Sequence, residues 1–222
     1  GIDFEELADA RLIIVWGNNV TACNLHATTI IRDARKAGAK LVVIDPKRIR
    51  IARDADLHIP LLPGTDVVLA YAVARLLEQK GGLDTDFIEQ HVHGAEAFLA
   101  EAQSYDLERA ARICGVDAPL IEHFADLLAN EAPAAMSIGV APERNRNGSA
   151  GLRAAFSLMA LSGNIGPQGA GICDTSRFFP ADKDALTRPD LAPEGLREIN
   201  VMDIPRYVLE PGEETPLRAL FV

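Results

Sequence analysis

Leu12-Ile13-Ile14-Val15-Trp16 runs straight into Gly17-Asn18-Asn19, and Leu41-Val42-Val43-Ile44 runs into Asp45-Pro46-Lys47-Arg48. A third short run, Leu57-His58-Ile59-Pro60-Leu61, leads to Pro63-Gly64-Thr65-Asp66. Aliphatic and β-branched runs of this length, each closed by turn formers, read as buried strands of a parallel sheet. Between the first two lies a helical stretch ending at Gly38, which makes strand, helix, strand a right-handed βαβ unit. Ligands on such sheets sit outside the carboxyl ends of the strands, where loops and helix N-termini converge. All three runs end in polar, glycine-containing or charged loops, and that edge is the candidate site.

Working outward, Thr21 or Asn18 is placed to cap a helix over residues 22–37, with Gly38 where a left-handed C-cap belongs. Ala22, Leu25, Thr29, Ile30 and Ala34 recur at helical spacing as its inward face, with Arg32, Asp33, Arg35 and Lys36 outward. Residues 66–79 form the most apolar helix, expected to pack on the sheet and to stop at Gly81-Gly82. Residues 84–91, 95–102, 106–113 and 118–129 read as a helical insertion or one flank of the sheet. A fourth strand, Ala134-Ala135-Met136-Ser137-Ile138-Gly139-Val140, opens into the polar loop 142–148, and a helix over 149–161 follows. Residues 169–195, rich in glycine, proline, aspartate and arginine, read as an irregular excursion; 196–209 regains helical spacing. The last residues, Pro216-Leu217-Arg218-Ala219-Leu220-Phe221-Val222, echo Ala10-Arg11-Leu12-Ile13-Ile14-Val15, as if a second lobe of a larger protein began there.

The 222 residues are 48% hydrophobic, enough for a sizeable core, and carry a formal charge of −10. That balance excludes non-specific nucleic-acid binding, which needs a concentrated basic face. An anionic small ligand remains compatible, because Lys47, Arg48, Arg50 and Arg53 cluster locally. Cys23, Cys114 and Cys173 have no framework spacing, which points to reduced thiols and a cytoplasmic setting. Cys23 is expected as a small buried residue of the first helix rather than a nucleophile. No apolar run approaches a membrane span and no basic-then-apolar leader is present, although a signal can lie upstream. His91 and His93, two apart on a helix, point to different sides and have no third partner for a metal. No Ser–His–Asp set, zinc spacing or phosphate-cradling G-x-x-x-x-G-K-[ST] loop occurs.

At the candidate edge, the small residues of Gly17-Asn18-Asn19 let backbone approach a phosphate at a helix N-terminus; any β–α turn looks similar. The turn is not G-x-G-x-x-G and gives no evidence for a nicotinamide cofactor. Asp45 stands at the separation from the glycine turn where an acid meets ribose hydroxyls, or it caps an Asx-type turn before Pro46. One of Lys47 and Arg48 is expected on a pyrophosphate; the bland alternative is that both are solvated. Thr65 or Asp66 can equally be an N-cap.

Trp16-Gly17-Asn18-Asn19, residues 43–48, residues 55–66, Glu143-Arg144-Asn145-Arg146-Asn147-Gly148 and residues 160–166 resemble, in order, the motifs of the molybdopterin oxidoreductases. These are the bis-molybdopterin guanine dinucleotide enzymes related to dimethyl sulfoxide reductase, formate dehydrogenase and nitrate reductase. The resemblance covers essentially the whole chain. It implies an α/β fold: a Rossmann-like parallel sheet flanked by helices, with a helical insertion and an irregular C-terminal return segment. Residues 1–168 would be the first dinucleotide-binding lobe, and 169–222 the return segment and the start of a truncated second lobe.

The cofactor implied is molybdopterin guanine dinucleotide with molybdenum or tungsten, in the full-length parent. An iron–sulfur cluster would belong to a missing N-terminal region, and the metal's protein ligand would also precede this stretch. The partners implied are that region, the second lobe and the C-terminal cap of the same protein, with electron-transfer subunits. By the resemblance, Trp16, Gly17, Asn18 and Asn19 line the dinucleotide beside Asp45, Pro46, Lys47 and Arg48. Asp66, behind Gly64 and Thr65, meets the guanine edge, where one carboxylate accepts from the ring N–H and the exocyclic amine. Ile138, Gly139, Arg144 and Asn145 reach toward the pterin, with Arg146 adding charge. No residue of this chain is expected to be catalytic or to ligate metal, and the chain alone is expected to carry no metal and to show no turnover. Val20 departs from many relatives, which have proline there. The alternative is a nucleotide-type binding module such as the central domain of a thiamine-diphosphate enzyme; a NAD dehydrogenase is disfavoured by the turn.

Overall fold

In the computed structural model, which describes residues 1–174, 182–195 and 199–210, the aliphatic runs lie side by side as one parallel sheet. Its strands are Leu12–Trp16 (β1), Lys40–Ile44 (β2), Leu57–Ile59 (β3), Ala134–Ile138 (β4) and Gly171–Asp174 (β5), in the order β3-β2-β1-β4-β5. Register is in step across the centre: Trp16 stands between Ile44 on β2 and Ile138 on β4. All strands are parallel, so every strand ends at the same rim.

Side chains alternate between faces along a strand, and the core divides accordingly. Leu12, Ile14, Trp16, Val42, Ile44, Met136 and Ile138 point to one face, covered by Asp66–Lys80 (α3), Ala118–Asn130 (α7) and Gly148–Leu161 (α8). Ile13, Val15, Leu41, Val43 and Ala135 point to the other, covered by Leu25–Lys36 (α2) and the 3₁₀ turns Phe4–Asp9 and Arg50–Arg53. The first face also carries Thr85–His91 (α4), Ala95–Ala102 (α5) and Leu107–Cys114 (α6). There Tyr71 of α3 stacks on Tyr105 with ring centroids 5.3 Å apart. Helix α3 stops at Gly81 in the left-handed conformation, as the double glycine predicts.

Several expectations are corrected. The helix expected over 22–37 is two: Val20–Cys23 (α1) and α2, separated at Asn24. The Asn24 side chain caps α2 by accepting from the Ala27 N–H at 3.1 Å, so neither Thr21 nor Asn18 is the cap of the long helix. The break shifts the phase of the apolar stripe. Ala27, Ile31 and Ala34 are buried, whereas Ala22, Thr29 and Leu25 face solvent, Leu25 with 67% exposure. Cys23, at the end of α1, is exposed rather than buried.

The stretch 169–195 is not irregular throughout. Gly171–Asp174 pairs with β4 as the fifth strand, and the Ile2 N–H donates to Ile172 O at 3.1 Å along its outer edge.

Two compact units divide the chain, Gly1–Phe178 and Phe179–Val222. The described part of the second contains Lys183–Thr187 (α9), capped by the Asp182 carboxylate, and Ile204–Leu209 (α10), preceded by a 3₁₀ turn at Val201–Asp203. Within the described residues 199–209, helical structure runs from Val201, while 196–198 and the apolar ending 216–222 lie outside the described residues.

Burial separates the three cysteines chemically. Cys114 and Cys173 are buried, and burial pushes both thiols up, Cys173 to about 12. A thiolate is the reactive form, so a thiol reagent at about pH 8 is expected to label Cys23 fast in the folded chain and all three cysteines in denaturant. Peptide mapping that finds Cys114 or Cys173 labelled as fast as Cys23 would contradict this packing.

Candidate functional site

Every predicted site residue lies at the carboxyl rim of the sheet or in the loop just beyond it. Trp16–Asn19 close β1, Asp45–Arg48 close β2, Gly64–Asp66 join β3 to α3, and Ile138, Gly139, Arg144 and Asn145 follow from β4. With strand order 3-2-1-4-5, β1 and β4 send their connections to opposite faces of the sheet, and a crevice opens between such strands.

The crevice is built from backbone. The Gly139 N–H donates to Trp16 O at 2.9 Å and the Gly17 N–H donates to Ile44 O at 2.8 Å. A β-carbon on residue 139 would stand 2.2 Å from Gly17 O, so only glycine lets the two strand ends meet. Gly17 has φ of +55°, and a β-carbon there would press on Pro142 at 2.6 Å. Such left-handed geometry with no side chain is what glycine supplies. Gly64 faces Asn145, whose side-chain amide donates to Ala141 O at 3.2 Å and Pro142 O at 3.4 Å.

Side chains then fix the rim. The Asn18 amide donates to Ser137 Oγ at 3.0 Å, tying the β1 turn to β4. The Trp16 indole N–H donates to Asp66 Oδ1 at 2.7 Å, tying β1 to the first turn of α3. Trp16 itself is fully buried, edge-on to Phe124 at 6.2 Å, and so offers a ligand no side-chain surface. Ile138 is likewise buried. Asp45 Oδ1 accepts from the Lys47 N–H at 2.8 Å, the Asx-type turn that was one of its two readings, and its second oxygen has no partner among the described residues. Thr65 donates its hydroxyl to Leu62 O at 2.7 Å rather than capping α3. Val20 uses the N–H that proline lacks, donating to Asn18 O at 2.9 Å.

Lys47, Arg48, Arg144 and Arg146 are exposed, and none forms an ion pair among the described residues. Four unpaired cations around a glycine-lined crevice, in a chain of net charge −10, suit an anionic ligand. A groove of about 730 Å³ on the α2 flank, lined by Arg32, Arg35, Arg50 and Ile51 among others, contains none of the predicted site residues. Among the described residues no three or more His, Cys, Asp or Glu side chains are grouped to hold a metal ion, and no helix is long and apolar enough to cross a membrane.

Sequence reasoning missed three contributors. Ser137 shows only as a polar residue inside an apolar strand. His58, whose Nε2 lies 2.9 Å from Asp45 O, shows as the one polar residue of β3. The Trp16–Asp66 bond spans 50 residues and leaves no local signal. Conversely, Asn164 in the last resemblance motif lies at the far end of the sheet, where its side chain accepts from the Ala134 N–H at 2.7 Å.

The molybdopterin oxidoreductase family matches residues 2–181. The chain is 34% identical to a probable oxidoreductase, YoaE, of Bacillus subtilis over 100% of this chain and 33% of that protein. It is 32% identical to the F420-dependent formate dehydrogenase subunit alpha of Methanocaldococcus jannaschii over 75% of this chain and 24% of that protein. The solved structure of acetylene hydratase from Pelobacter acetylenicus superposes with a TM-score of 0.70 at 31% identity, over 74% of this chain and 23% of that one. This chain spans a third or less of the length of these relatives.

Replacing Gly139 with alanine forces a methyl group into backbone. Gly139→Ala is expected to destabilise the fold by about 3 kcal/mol, read from urea unfolding; a loss near that of an exposed loop substitution would show that the strand ends part more easily than drawn.

Proposed function

The chain belongs to the molybdopterin oxidoreductase family, and from that premise we propose that its rim holds the guanine dinucleotide arm of the pterin cofactor. The observation that carries this reading is the divergence of the β1 and β4 connections at Gly17 and Gly139, with cations unpaired among the described residues in the adjoining loops. Glycine at both positions lets the strand ends close on one another and on Pro142 without side chains, so bare backbone lies at the rim against which a diphosphate would be laid.

In this reading Gly17, Asn18, Asn19 and Gly139 give the diphosphate close backbone, and Lys47 or Arg48 neutralises it. The free oxygen of Asp45 accepts from ribose hydroxyls, with Pro46 shaping the turn. Asp66, set by Gly64 and Thr65, accepts from the two N–H groups of the guanine edge, a pairing adenine cannot reproduce. Ile138, Arg144 and Asn145 lie on the side that would face the pterin. When bound, the molybdenum or tungsten of the cofactor supplies electron or oxygen-atom transfer in the full-length parent; the residues here bind and orient. The other regions of that parent, an iron–sulfur region, a second lobe and a cap, are the partners the reading requires. The thiamine-diphosphate alternative has no support from the relatives found.

Calorimetric titration of the chain with guanosine and adenosine diphosphates tests the reading. Guanosine diphosphate is expected to bind at least about tenfold more tightly, from its ring N–H and amine both facing the presented carboxylate oxygen. Asp66→Asn keeps an acceptor for the Trp16 indole but presents the base with a donor, and is expected to erase the preference. Equal binding of the two nucleotides by the unmodified chain, or no binding, would overturn it.

A further inference from the structure

Trp16 lies outside any direct contact with a ligand, yet the structure puts it in charge of the one carboxylate assigned to the base. We propose that Trp16 is a positioning residue for base selectivity, holding the Asp66 carboxylate in the single orientation that meets a guanine edge. The inference rests on the guanine reading above and goes one residue beyond it.

The geometry has three parts. First, the Trp16 indole N–H reaches Asp66 Oδ1 at 2.7 Å, a charge-assisted bond in a buried setting. Second, the indole cannot swing away: it is 0% exposed, fixed in β1, and edge-on to Phe124 of α7. Third, α8 crosses α3 at Gly151, where a β-carbon would lie 3.1 Å from Asp66 Cβ, so the base of the Asp66 side chain is gripped from behind. β1, α3 and α8 therefore share one carboxylate.

That carboxylate still reaches outward. Asp66 is 8% exposed, and Oδ2 has no hydrogen-bond partner among the described residues. The one buried side-chain polar atom without a partner among them is Arg35 Nε, so Oδ2 is not sealed from solvent. One oxygen is pinned inside and the other is presented. An aspartate at a helix N-terminus without such a pin samples several rotamers, and ordering it on binding lowers affinity for the ligand that pairs with it. The pin costs nothing at the moment of binding, because the fold has already set it.

A role in selectivity differs measurably from a role in stability. Adenosine diphosphate has no ring N–H to pair with Asp66, so the ratio of its dissociation constant to that of guanosine diphosphate reads the contact with that carboxylate. A purely structural contribution from Trp16 would weaken both nucleotides together and leave the ratio unchanged. In Trp16→Phe, which keeps an aromatic ring and removes the N–H, the guanosine-over-adenosine preference is expected to fall about three- to tenfold, the cost of ordering one freed side chain. An unchanged ratio in folded Trp16→Phe, with Asp66→Asn still erasing the guanine preference, would overturn the role of Trp16 and leave the guanine reading standing. Absence of any guanine preference in the unmodified chain would remove both.

Should Trp16→Phe fail to fold, the unmodified chain gives a second test. Trp16 is the sole tryptophan, so its fluorescence reports the state of the indole N–H directly. Saturating guanosine diphosphate is expected to shift the emission, with a smaller shift for adenosine diphosphate; emission unmoved by bound guanosine diphosphate would overturn the proposal.

Discussion

The close approach of two strand ends sets the rest of the structure. β1 is the central strand, hydrogen-bonded to β2 on one side and β4 on the other, and the chain leaves β1 toward the α2 face but leaves β4 toward the α8 face. At that divergence the backbone of residue 139 lies against the carbonyl of Gly17 with no room for a side chain. A crevice between diverging connections is a consequence of topology. A crevice whose floor is bare peptide is a consequence of glycine at two positions. The amide of Asn18, bonded to Ser137, stops the two walls from sliding apart.

The two faces of the sheet are unequal, and the inequality has a use. One face is covered by α2 and two 3₁₀ turns; the other carries α3, α7 and α8 in contact with β1 and β4, and α5 and α6 pack behind α3. α3 is thus held on several sides, by α5, α6, α7 and α8. Stacking of Tyr71 on Tyr105, with the Arg109 guanidinium 5.1 Å from the Tyr105 ring, fixes its middle. Its first residue is Asp66. Groups that must hold one orientation do so best on an element whose own position is locked by packing, and the helical insertion supplies that locking at a distance from the rim.

Much of this was legible in the residues, and the illegible part has physical causes. β1, β2 and β4 are continuous apolar runs because both faces are covered, and α3 announces itself by its length and by its glycine stop. β5 was not legible: it opens on glycine, offers only Ile172 and Cys173 as apolar residues, and is recruited by pairing with β4 rather than by its own pattern. The break at Asn24 is set by a backbone at φ −144° and a local side-chain cap, which a periodicity count passes over because the apolar spacing on either side is compatible with one helix. At the rim, the residues could be placed because strand ends and turn formers mark it. The bonds between them could not: Trp16 to Asp66 and Asn18 to Ser137 join residues 50 and 119 apart. Asn164 shows the reverse case, a motif residue whose work is to close the opposite end of β4.

The charged groups at the rim divide by how firmly they are held, and that division says what each can recognise. Asp45 and Asp66 each have one oxygen tied by an internal N–H, at 2.8 and 2.7 Å, and one without a partner among the described residues. A carboxylate held in this way presents a direction, and direction is what distinguishes one pattern of N–H or O–H donors from another. Lys47, Arg48, Arg144 and Arg146 are exposed and unpaired among the described residues. Long cationic side chains follow charge with little demand on angle, least of all lysine, whose ammonium acts as a point charge. Locked acceptors beside loose cations form a surface suited to a ligand that carries both hydrogen-bond donors and negative charge. No side chain in that set is arranged as a nucleophile with its base; what the set offers is hydrogen-bond direction from the carboxylates and charge from the cations.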